Sequence, residues 1–383
     1  MMKTKFSQGF WALFIGRMMQ FVGYSLIGLF LPIFLLITFG RLEWVIVYYL
    51  VGHLLYALFL PLGAQELNKI GLRRSLKVSV FLFAGYYVCL FLFNIQAGNI
   101  IWLTAIALLV LVLGRMLFWL PFHTDLAKFT NIKNRGQSIG LLWATRTFLG
   151  VVMPVISGFL LARFGYNIVF WLAIITYLSS LIPFAWLPRT RERYEWGYRQ
   201  TWREYFKRAN RKLVLANMAN GAENVVGIII WPIFIWQILH GNYFAVGAVS
   251  SLIVLATIVL QLVVGRFTDK FDKRKMIHWG STLYASGWLA KMFVLTAFQI
   301  FIVGTYHSFT QIFKDTPFDA LNYEVLADHG HYVDEYTVLK EIAVQLGKVL
   351  MLIFILLLVV VIHFNLSWTF ALAALASLLI NFL

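Results

Sequence analysis

Long apolar stretches recur along the whole chain, and this recurrence limits the possible fold more than any other feature. A helix needs roughly 20 apolar residues to cross the hydrocarbon core of a bilayer. The 383 residues are 61% hydrophobic and only 13% charged, and a fold surrounded by water could not hide that much apolar surface. The sequence therefore predicts an all-α membrane protein without a soluble domain of any size.

The apolar stretches predict twelve transmembrane helices. The predicted spans cover residues 9–39, 43–66, 75–96, 99–121, 136–161, 166–187, 212–239, 243–265, 276–298, 300–319, 337–362 and 364–383. The first stretch is too long for a secretory signal and lacks a small-residue cleavage site, so we expect it to remain as a helix. Cys89 is the only cysteine; it excludes a disulfide within the chain and is expected to pack as an apolar residue.

The net charge of +16 is concentrated on one side of the predicted membrane. Most Lys and Arg residues fall on that side, whereas Arg41 and Arg163 lie on the other. This asymmetry predicts a multi-pass protein of the plasma or inner membrane with both termini in the cytoplasm. The densest basic region, 189–212, is interpreted as an amphipathic segment lying against anionic lipid headgroups. No nucleic-acid-binding fold accompanies it, so a nucleic acid partner is not expected.

The two halves of the sequence repeat each other. Three pairs of segments match at nearly one offset: 31–40 with 231–241, 64–74 with 265–275, and 121–122 with 317–318. Matches in different loops and helices at one offset indicate a parallel repeat. We therefore expect three parts: an N-terminal six-helix bundle at 1–188, a basic cytoplasmic linker at 189–211, and a C-terminal six-helix bundle at 212–383.

The loop between spans eight and nine resembles a signature of the major facilitator superfamily. Five residues follow the family pattern G-x-x-x-D-[RK]-x-G-[RK]-[RK]: Gly265, Asp269, Lys270, Lys273 and Arg274. Asp272 stands where the second Gly belongs. The copy in the first half keeps Lys69, Gly71, Arg73 and Arg74 but has Ala64 for Gly and Asn68 for Asp.

The resemblance implies a secondary transporter in which two halves rock about a central site lined by spans 1, 4, 7 and 10. It also implies that Gly265, Asp269, Lys270 and Arg274 act as a gate. There the Asp269 carboxylate would accept backbone N–H groups and pair with a basic side chain in one state only. The segment MPVISG at 153–158 resembles part of an exporter motif of the family, and it slightly favours efflux over uptake.

Polar residues inside the spans are the site candidates, because an ionisable group near the bilayer centre costs roughly 2.5–3.5 kcal/mol. Helical spacing puts Arg17, Gln20 and Tyr24 on one stripe of span one, and Asn217, Asn220 and Asn224 on one stripe of span seven. The expected substrate-binding residues are Arg17, Gln20, Tyr24, Arg115, Trp119, Arg146, Asn220, Asn224, His307 and Gln311. Positive groups exceed negative ones at depth, which favours a small anionic or zwitterionic solute. Aromatic residues that face the cavity would instead suit a lipophilic or amphipathic solute.

Glu223 and Asp315 are the expected proton-coupling residues, with Lys314 or Asp315 on the polar stripe of span ten. Glu223 lies about 18 Å into span seven at 1.5 Å per residue, near mid-membrane. A carboxylate whose proton affinity differs between two states couples proton movement to the conformational change. The alternative is a permanent ion pair between Glu223 and an Arg of the opposite half. Lys291, in span nine, is expected to snorkel outwards.

Two clusters, at 123–125 and 327–335, hold His and acidic side chains that are able to ligate a metal, but neither has the spacing of a structural zinc site. They keep open a metal-ion transporter or a metal-dependent membrane enzyme as the alternative function. No nucleophile and base motif and no nucleotide-binding motif is present, so we expect a monomeric, proton-driven transporter and not an enzyme. Its expected partners are a small-molecule solute, the proton and membrane lipid, with no cofactor.

Overall fold

The computed structural model describes residues 6–130, 135–190, 194–268, 273–327, 332–362 and 365–382, and these residues form helices and no strand. The α-helices in chain order are α1 Gln8–Ser25, α2 Leu31–Phe39, α3 Leu42–Ile70, α4 Leu72–Asn94, α5 Ile100–Phe129, α6 Arg135–Ser179, α7 Leu181–Ala185, α8 Tyr198–Tyr205, α9 Arg211–Ile238, α10 Tyr243–Thr268, α11 Lys273–Lys291, α12 Ala297–Ala327, α13 Val333–Ile362 and α14 Thr369–Leu379. Short 3₁₀ turns lie at 208–210, 366–368 and 380–382.

Seven helical segments in the described part of the chain are long and apolar enough to cross a membrane. They are Leu42–Ile70, Leu72–Asn94, Ile100–Leu126, Gln137–Ala185, Arg208–Ile238, Tyr243–Leu262 and Asp334–Val361. The expectation of an all-helical, multi-pass membrane protein is therefore confirmed.

Several predicted spans differ from the helices observed. Span one is divided into α1 and α2, because Pro32 in the first turn of α2 has no N–H to continue the α1 hydrogen-bond ladder. The fifth span and the first part of the sixth lie within α6, which bends at Gly165, and α7 follows at the end of the sixth. The φ of +70° at Gly165 is one that residues with a side chain rarely adopt, so this glycine allows the chain to turn without a long loop.

By proximity of its Cα atoms the chain divides into two compact units. Unit 1 contains Met1–Gly28 and Leu58–Tyr198, and unit 2 contains Leu29–Ala57 and Arg199–Leu383. The segment 29–57 thus belongs to the first repeat in sequence and to the second unit in packing. The domain boundaries at 188 and 212 come from the sequence repeat, whereas the two units are defined by contacts between residues. The units therefore do not test these boundaries, which stay a prediction.

Glycines allow close helix packing inside each unit. In unit 1, a side chain at Gly16 or Gly23 of α1 would collide with the ring of Phe184 or Tyr177. In unit 2, helices α9 and α13 touch through their backbones. A Cβ at Gly221 would collide with the carbonyl of Val344, and one at Gly347 with the carbonyl of Met218. Small residues at such crossings bring helices together in membranes through van der Waals packing.

The segment after α7 is bound to unit 1 through Asn68, which stands where the family signature has Asp. The Asn68 amide donates to the Tyr194 carbonyl at 2.9 Å and accepts from the Tyr194 N–H at 2.8 Å. Gln65 donates to the Trp196 carbonyl at 3.4 Å. A carboxylate at position 68 could accept but not donate. Because the amide can do both, Asn suits position 68 in a chain whose segment after α7 binds to this side chain.

Helix α8 of the linker packs in unit 2 through its C-terminal end. The Tyr205 hydroxyl donates to the sulfur of Met218 at 3.2 Å, and burial raises the pKa of Tyr205 to about 12, so the hydroxyl keeps its proton at physiological pH. Lys207 pairs with Glu204 at 3.1 Å. The contact of this basic segment with lipid headgroups stays a prediction.

Candidate functional site

Arg17 of α1 lies in an aromatic box in unit 1. Its guanidinium carbon is 4.9 Å from the ring centroids of both Phe118 and Trp119 and 5.4 Å from that of Phe122. The α5 segment around Pro121 supplies all three rings. No carboxylate of the described residues forms an ion pair or hydrogen bond with Arg17. Its N–H donors are therefore available to a ligand, while the rings stabilise its charge.

The other expected residues of span one lie on the same helix but in different surroundings. Gln20 is 1% exposed, and neither of its amide atoms has a hydrogen-bond partner. Tyr24 is 49% exposed. Burying a polar amide without partners is costly, so Gln20 is a position where a ligand or water would be stabilised.

Arg146 of α6 joins this region through the ring of Phe21 on α1. Its guanidinium carbon is 5.3 Å from the Phe21 centroid and 5.4 Å from that of Trp143, and the side chain is exposed. Arg115 is half-buried on α5. The structure thus brings Arg17, Trp119 and Arg146 into one aromatic region of unit 1.

Glu223 of α9 is the centre of a buried polar network in unit 2. Its Oε1 accepts from Lys314 Nζ of α12 at 2.6 Å, and its Oε2 accepts from the hydroxyl of Tyr284 on α11 at 2.8 Å. Lys314 is 0% and Glu223 2% exposed. Lys314 also donates to Asn220 Oδ1 at 3.1 Å. The partner of Glu223 is therefore a Lys from the same unit and not the Arg of the opposite half that the sequence left open.

Asp315 connects this network to a more open position. Its Oδ1 lies 2.9 Å from Lys314 Nζ, and its Oδ2 accepts from Gln311 at 2.9 Å. The Asp315 side chain is 38% exposed, whereas Lys314 is fully enclosed. Lys314 thus has two carboxylate partners in different surroundings, so either carboxylate can keep the ammonium paired if the other is neutralised.

Aromatic rings extend the network along α11 and α12. His307 is 5% exposed and stacks on Tyr284 with centroids 4.2 Å apart. The same imidazole meets Trp288 edge to face at 4.4 Å. Because Tyr284 also donates to Glu223, His307 is one ring away from the carboxylate. The structure therefore places His307, Gln311, Asn220 and Glu223 of the predicted set in one region.

Asn217 and Asn224, which share the predicted polar stripe of α9 with Asn220, have different surroundings. Asn217 is fully buried and donates to Asn322 Oδ1 at 2.9 Å and to the Leu213 carbonyl, so it joins two helices and is not open to a ligand. Asn224 is half-buried and has no hydrogen bond to any described residue. Of the two, only Asn224 keeps its amide free for a solute.

Lys291 contradicts the expectation of an outward-reaching side chain. It is the last residue of α11 and is only 2% exposed. Its ammonium lies 3.9 Å from the ring centroid of Trp288 and 4.4 Å from that of Trp231. Sequence reasoning also missed Tyr284. An i, i+4, i+7 pattern at Tyr284, Trp288 and Lys291 on α11 was the signal that could have identified both.

A second polar network in unit 2 was also missed. His53 Nδ1 of α3 lies 2.6 Å from Gln345 Oε1 of α13, and the Gln345 amide donates to Glu341 at 2.7 Å. Gln345 is 1% exposed. The predicted spans contained all three residues, but their meeting depends on how 29–57 packs, which no periodicity within one helix indicates.

The predicted gate lies largely outside the described residues. Asp269 and Lys270 are outside them, and for Gly265 and Arg274 only the helical backbone is described, in α10 and α11. Residues 328–331 of the second metal-ligand cluster also lie outside. In the first cluster, the buried Asp125 accepts from the Thr190 hydroxyl at 2.5 Å. The described residues contain no group of three or more metal-ligating side chains.

Comparison with known proteins points to one family. The family model for the Major Facilitator Superfamily matches residues 13–222. A Bacillus subtilis (strain 168) protein described as "Uncharacterized protein YqgE" is 20% identical over 327 residues, which are 82% of this chain and 71% of that protein.

Solved transporters share the fold. A peptide transporter POT in complex with sulfate has a TM-score of 0.73 at 9% identity, covering 98% of this chain and 93% of that one. A bacterial metal transporter has a TM-score of 0.67 at 13% identity, covering 99% and 98%. At such identities the likeness concerns the fold alone.

Proposed function

Because the chain belongs to the major facilitator superfamily, we propose that it moves a small anionic or amphipathic solute across the membrane by proton-coupled alternating access. Membership of the family and the shared transporter fold make it a membrane transporter and not an enzyme. The proposal further includes twelve spans in two six-helix bundles, cytoplasmic termini, a monomeric state and a preference for efflux. These finer points rest on the repeat, the charge asymmetry and the partial span-five motif.

The environment of Arg17 is the observation that supports an anionic solute. Ring faces at 4.9 Å stabilise its charge, and no described carboxylate neutralises it. A guanidinium binds a carboxylate or phosphate through two parallel N–H donors. Trp119 and Phe122 offer apolar faces beside that charge. A solute with an anionic group and an apolar or aromatic body therefore fits this surrounding best.

The observation that supports proton coupling is the enclosed pair of Glu223 and Lys314. Protonation of Glu223 would remove the charge that Lys314 faces at 2.6 Å and leave Asp315 as its only acidic partner. Such a change alters the free energy of the packed region around α9 and α12, because buried charges depend strongly on their partners. A proton on Glu223 can thereby favour one conformational state over another.

The test compares Glu223→Gln with Asp315→Asn in inside-out vesicles. A metabolite mixture read by mass spectrometry first identifies a transported solute. The Gln amide mimics the protonated acid, so we expect Glu223→Gln to abolish gradient-driven transport while sparing exchange of solute for solute. Asp315, the other expected proton-coupling residue, is 38% exposed, so we expect Asp315→Asn to slow gradient-driven transport less than Glu223→Gln does. If Glu223→Gln keeps gradient-driven transport with an unchanged pH profile, the proton is bound elsewhere.

The gate formed by Gly265, Asp269, Lys270 and Arg274 is part of the proposal and rests on the family signature. Asp269→Asn keeps the shape of the side chain but removes its charge, so we expect normal membrane insertion with slower transport. Transport at the wild-type rate in fully inserted Asp269→Asn protein would contradict the gate.

A further inference from the structure

Lys291 has a buried ammonium group without an acidic partner. The side chain is 2% exposed, and no described residue forms an ion pair or hydrogen bond with it. The ammonium lies 3.9 Å from the ring centroid of Trp288 on the same helix and 4.4 Å from that of Trp231 on α9. Buried ammonium groups are strongly unfavourable unless they are paired, so this lysine requires an explanation.

Two carboxylates of this region, Glu223 and Asp315, do not pair with Lys291 in this arrangement. Oε1 of Glu223 accepts from Lys314 and Oε2 accepts from Tyr284. Asp315 pairs with Lys314 and accepts from Gln311. Both acids are therefore paired with Lys314, and the Lys291 ammonium forms no hydrogen bond or ion pair with either of them.

The aromatic neighbours stabilise the cation only in part. A ring face attracts an ammonium electrostatically, but an ammonium has three N–H donors that prefer oxygen acceptors. The two indole rings supply no such acceptor. An oxygen acceptor that entered from outside the chain would supply it, and the indole rings would cover an apolar neighbour of that group.

We propose that Lys291, Trp288 and Trp231 form an oxyanion-binding subsite in unit 2, which takes a carboxylate or phosphate group. The half-buried Asn224 lies seven residues before Trp231, on the same side of α9, with an amide free to add a hydrogen bond. If the anion belongs to the transported solute, the inference rests on the proposed function. A phospholipid headgroup carries the same chemistry.

The test measures how oxyanions change the thermal unfolding of the purified full-length protein in detergent. Sodium phosphate and sodium acetate are each compared with sodium chloride at equal ionic strength. The proteins are wild type, Lys291→Met, Lys291→Arg and the control Lys212→Met, in which the same change is made at an exposed lysine. A ligand that binds only the folded state raises Tm, and we expect a rise of a few degrees in wild type.

Lys291→Met should lose at least half of that rise, whereas Lys291→Arg and Lys212→Met should keep most of it. No rise in wild type with either anion overturns the inference and needs no variant. A full rise in Lys291→Met overturns it as well. If the rise is lost in Arg17→Met but kept in Lys291→Met, the anion binds in unit 1 alone, and the proposed function stands without this subsite.

The source of the anion is tested in nanodiscs. With phosphatidylcholine only, free phosphate should still raise the Tm of wild type if a solute is the natural ligand. If a headgroup occupies the subsite, phosphatidylglycerol should raise the Tm of wild type but not of Lys291→Met, and phosphate should add nothing further. Either outcome supports the subsite and assigns its ligand.

Discussion

Arg17 in unit 1 and Lys314 in unit 2 are both cations on helices of the predicted cavity, but their surroundings are opposite. Lys314 is enclosed completely and is held by two carboxylates and an amide. Arg17 is surrounded by rings and has no described acidic partner. The charge of Lys314 is thus satisfied by the protein itself, whereas the charge of Arg17 is left for another molecule.

This difference separates two roles, the response to a proton and the binding of a solute. The sequence alone shows only that both halves carry polar residues inside their spans. An ion pair whose partners are all protein groups is costly to break and is suited to respond to a proton. A cation that only ring faces stabilise loses little when it changes partner, so it is suited to bind and release a solute. Stability and transport should therefore respond in opposite ways to mutation of these two residues.

The largest effect is expected for Lys314→Met. It leaves Glu223 buried without its cation, and breaking one side of a buried pair costs about 3–5 kcal/mol. The measurement is the free energy of unfolding in mixed micelles. The double variant Lys314→Met/Glu223→Leu should recover most of the loss, because the carboxylate then left without Lys314 is that of Asp315, which is 38% exposed. A loss below about 1 kcal/mol for Lys314→Met would show that the pair is not enclosed as described.

A smaller effect is expected for Tyr284→Phe, which removes the second donor to Glu223. A hydrogen bond to a charged group contributes about 1.5–3 kcal/mol. Tyr306→Phe is the matched control, since its hydroxyl meets Ser286 at an exposed position between α12 and α11. The control should change the free energy of unfolding by less than about 0.5 kcal/mol. Equal losses in both variants would contradict a special role of the Tyr284 hydroxyl.

The smallest change in stability is expected for Arg17→Met, although its effect on transport should be large. Loss of the cation–π contacts costs about 0.5–2 kcal/mol, and removal of a desolvated charge offsets part of it. Transport of the identified solute should fall strongly, and Arg17→Lys should also weaken it because an ammonium cannot form the paired contact. Arg163→Met, at an exposed position, controls for loss of charge. Normal transport by Arg17→Met would remove Arg17 from the solute site.

Hydropathy and helical spacing predicted the fold and single-helix relations, because both are properties of consecutive residues. The association of Asn220 with Glu223 follows from their three-residue separation on α9. The choice of Lys314 as the partner of Glu223 does not, since it depends on how α12 packs on α9. Sequence reasoning could therefore name Lys314 and Asp315 as alternative members of the polar stripe of span ten. It could not show that the two side chains pair with each other.

Lys291 shows why depth along a predicted span is a weak guide to exposure. The span was expected to continue to 298, whereas α11 ends at Lys291 itself. Two indole rings from different helices then cover the side chain. The spacing within 276–298 places Lys291 on the face of Tyr284 and Trp288. Which helix covers that face depends on tertiary packing, so the spacing alone could not show that Trp231 of α9 encloses this lysine.

The backbone contact of α9 with α13 has a mechanical consequence. Gly221 lies two residues from Glu223, and Gly347 lies two residues from Gln345. With no side chain between the helices, neither can slide along the other without bringing a carbonyl oxygen against a Cα atom. The two helices should therefore shift as one rigid body. A displacement that begins when Glu223 changes its charge would carry Gln345 with it and strain the contact to His53.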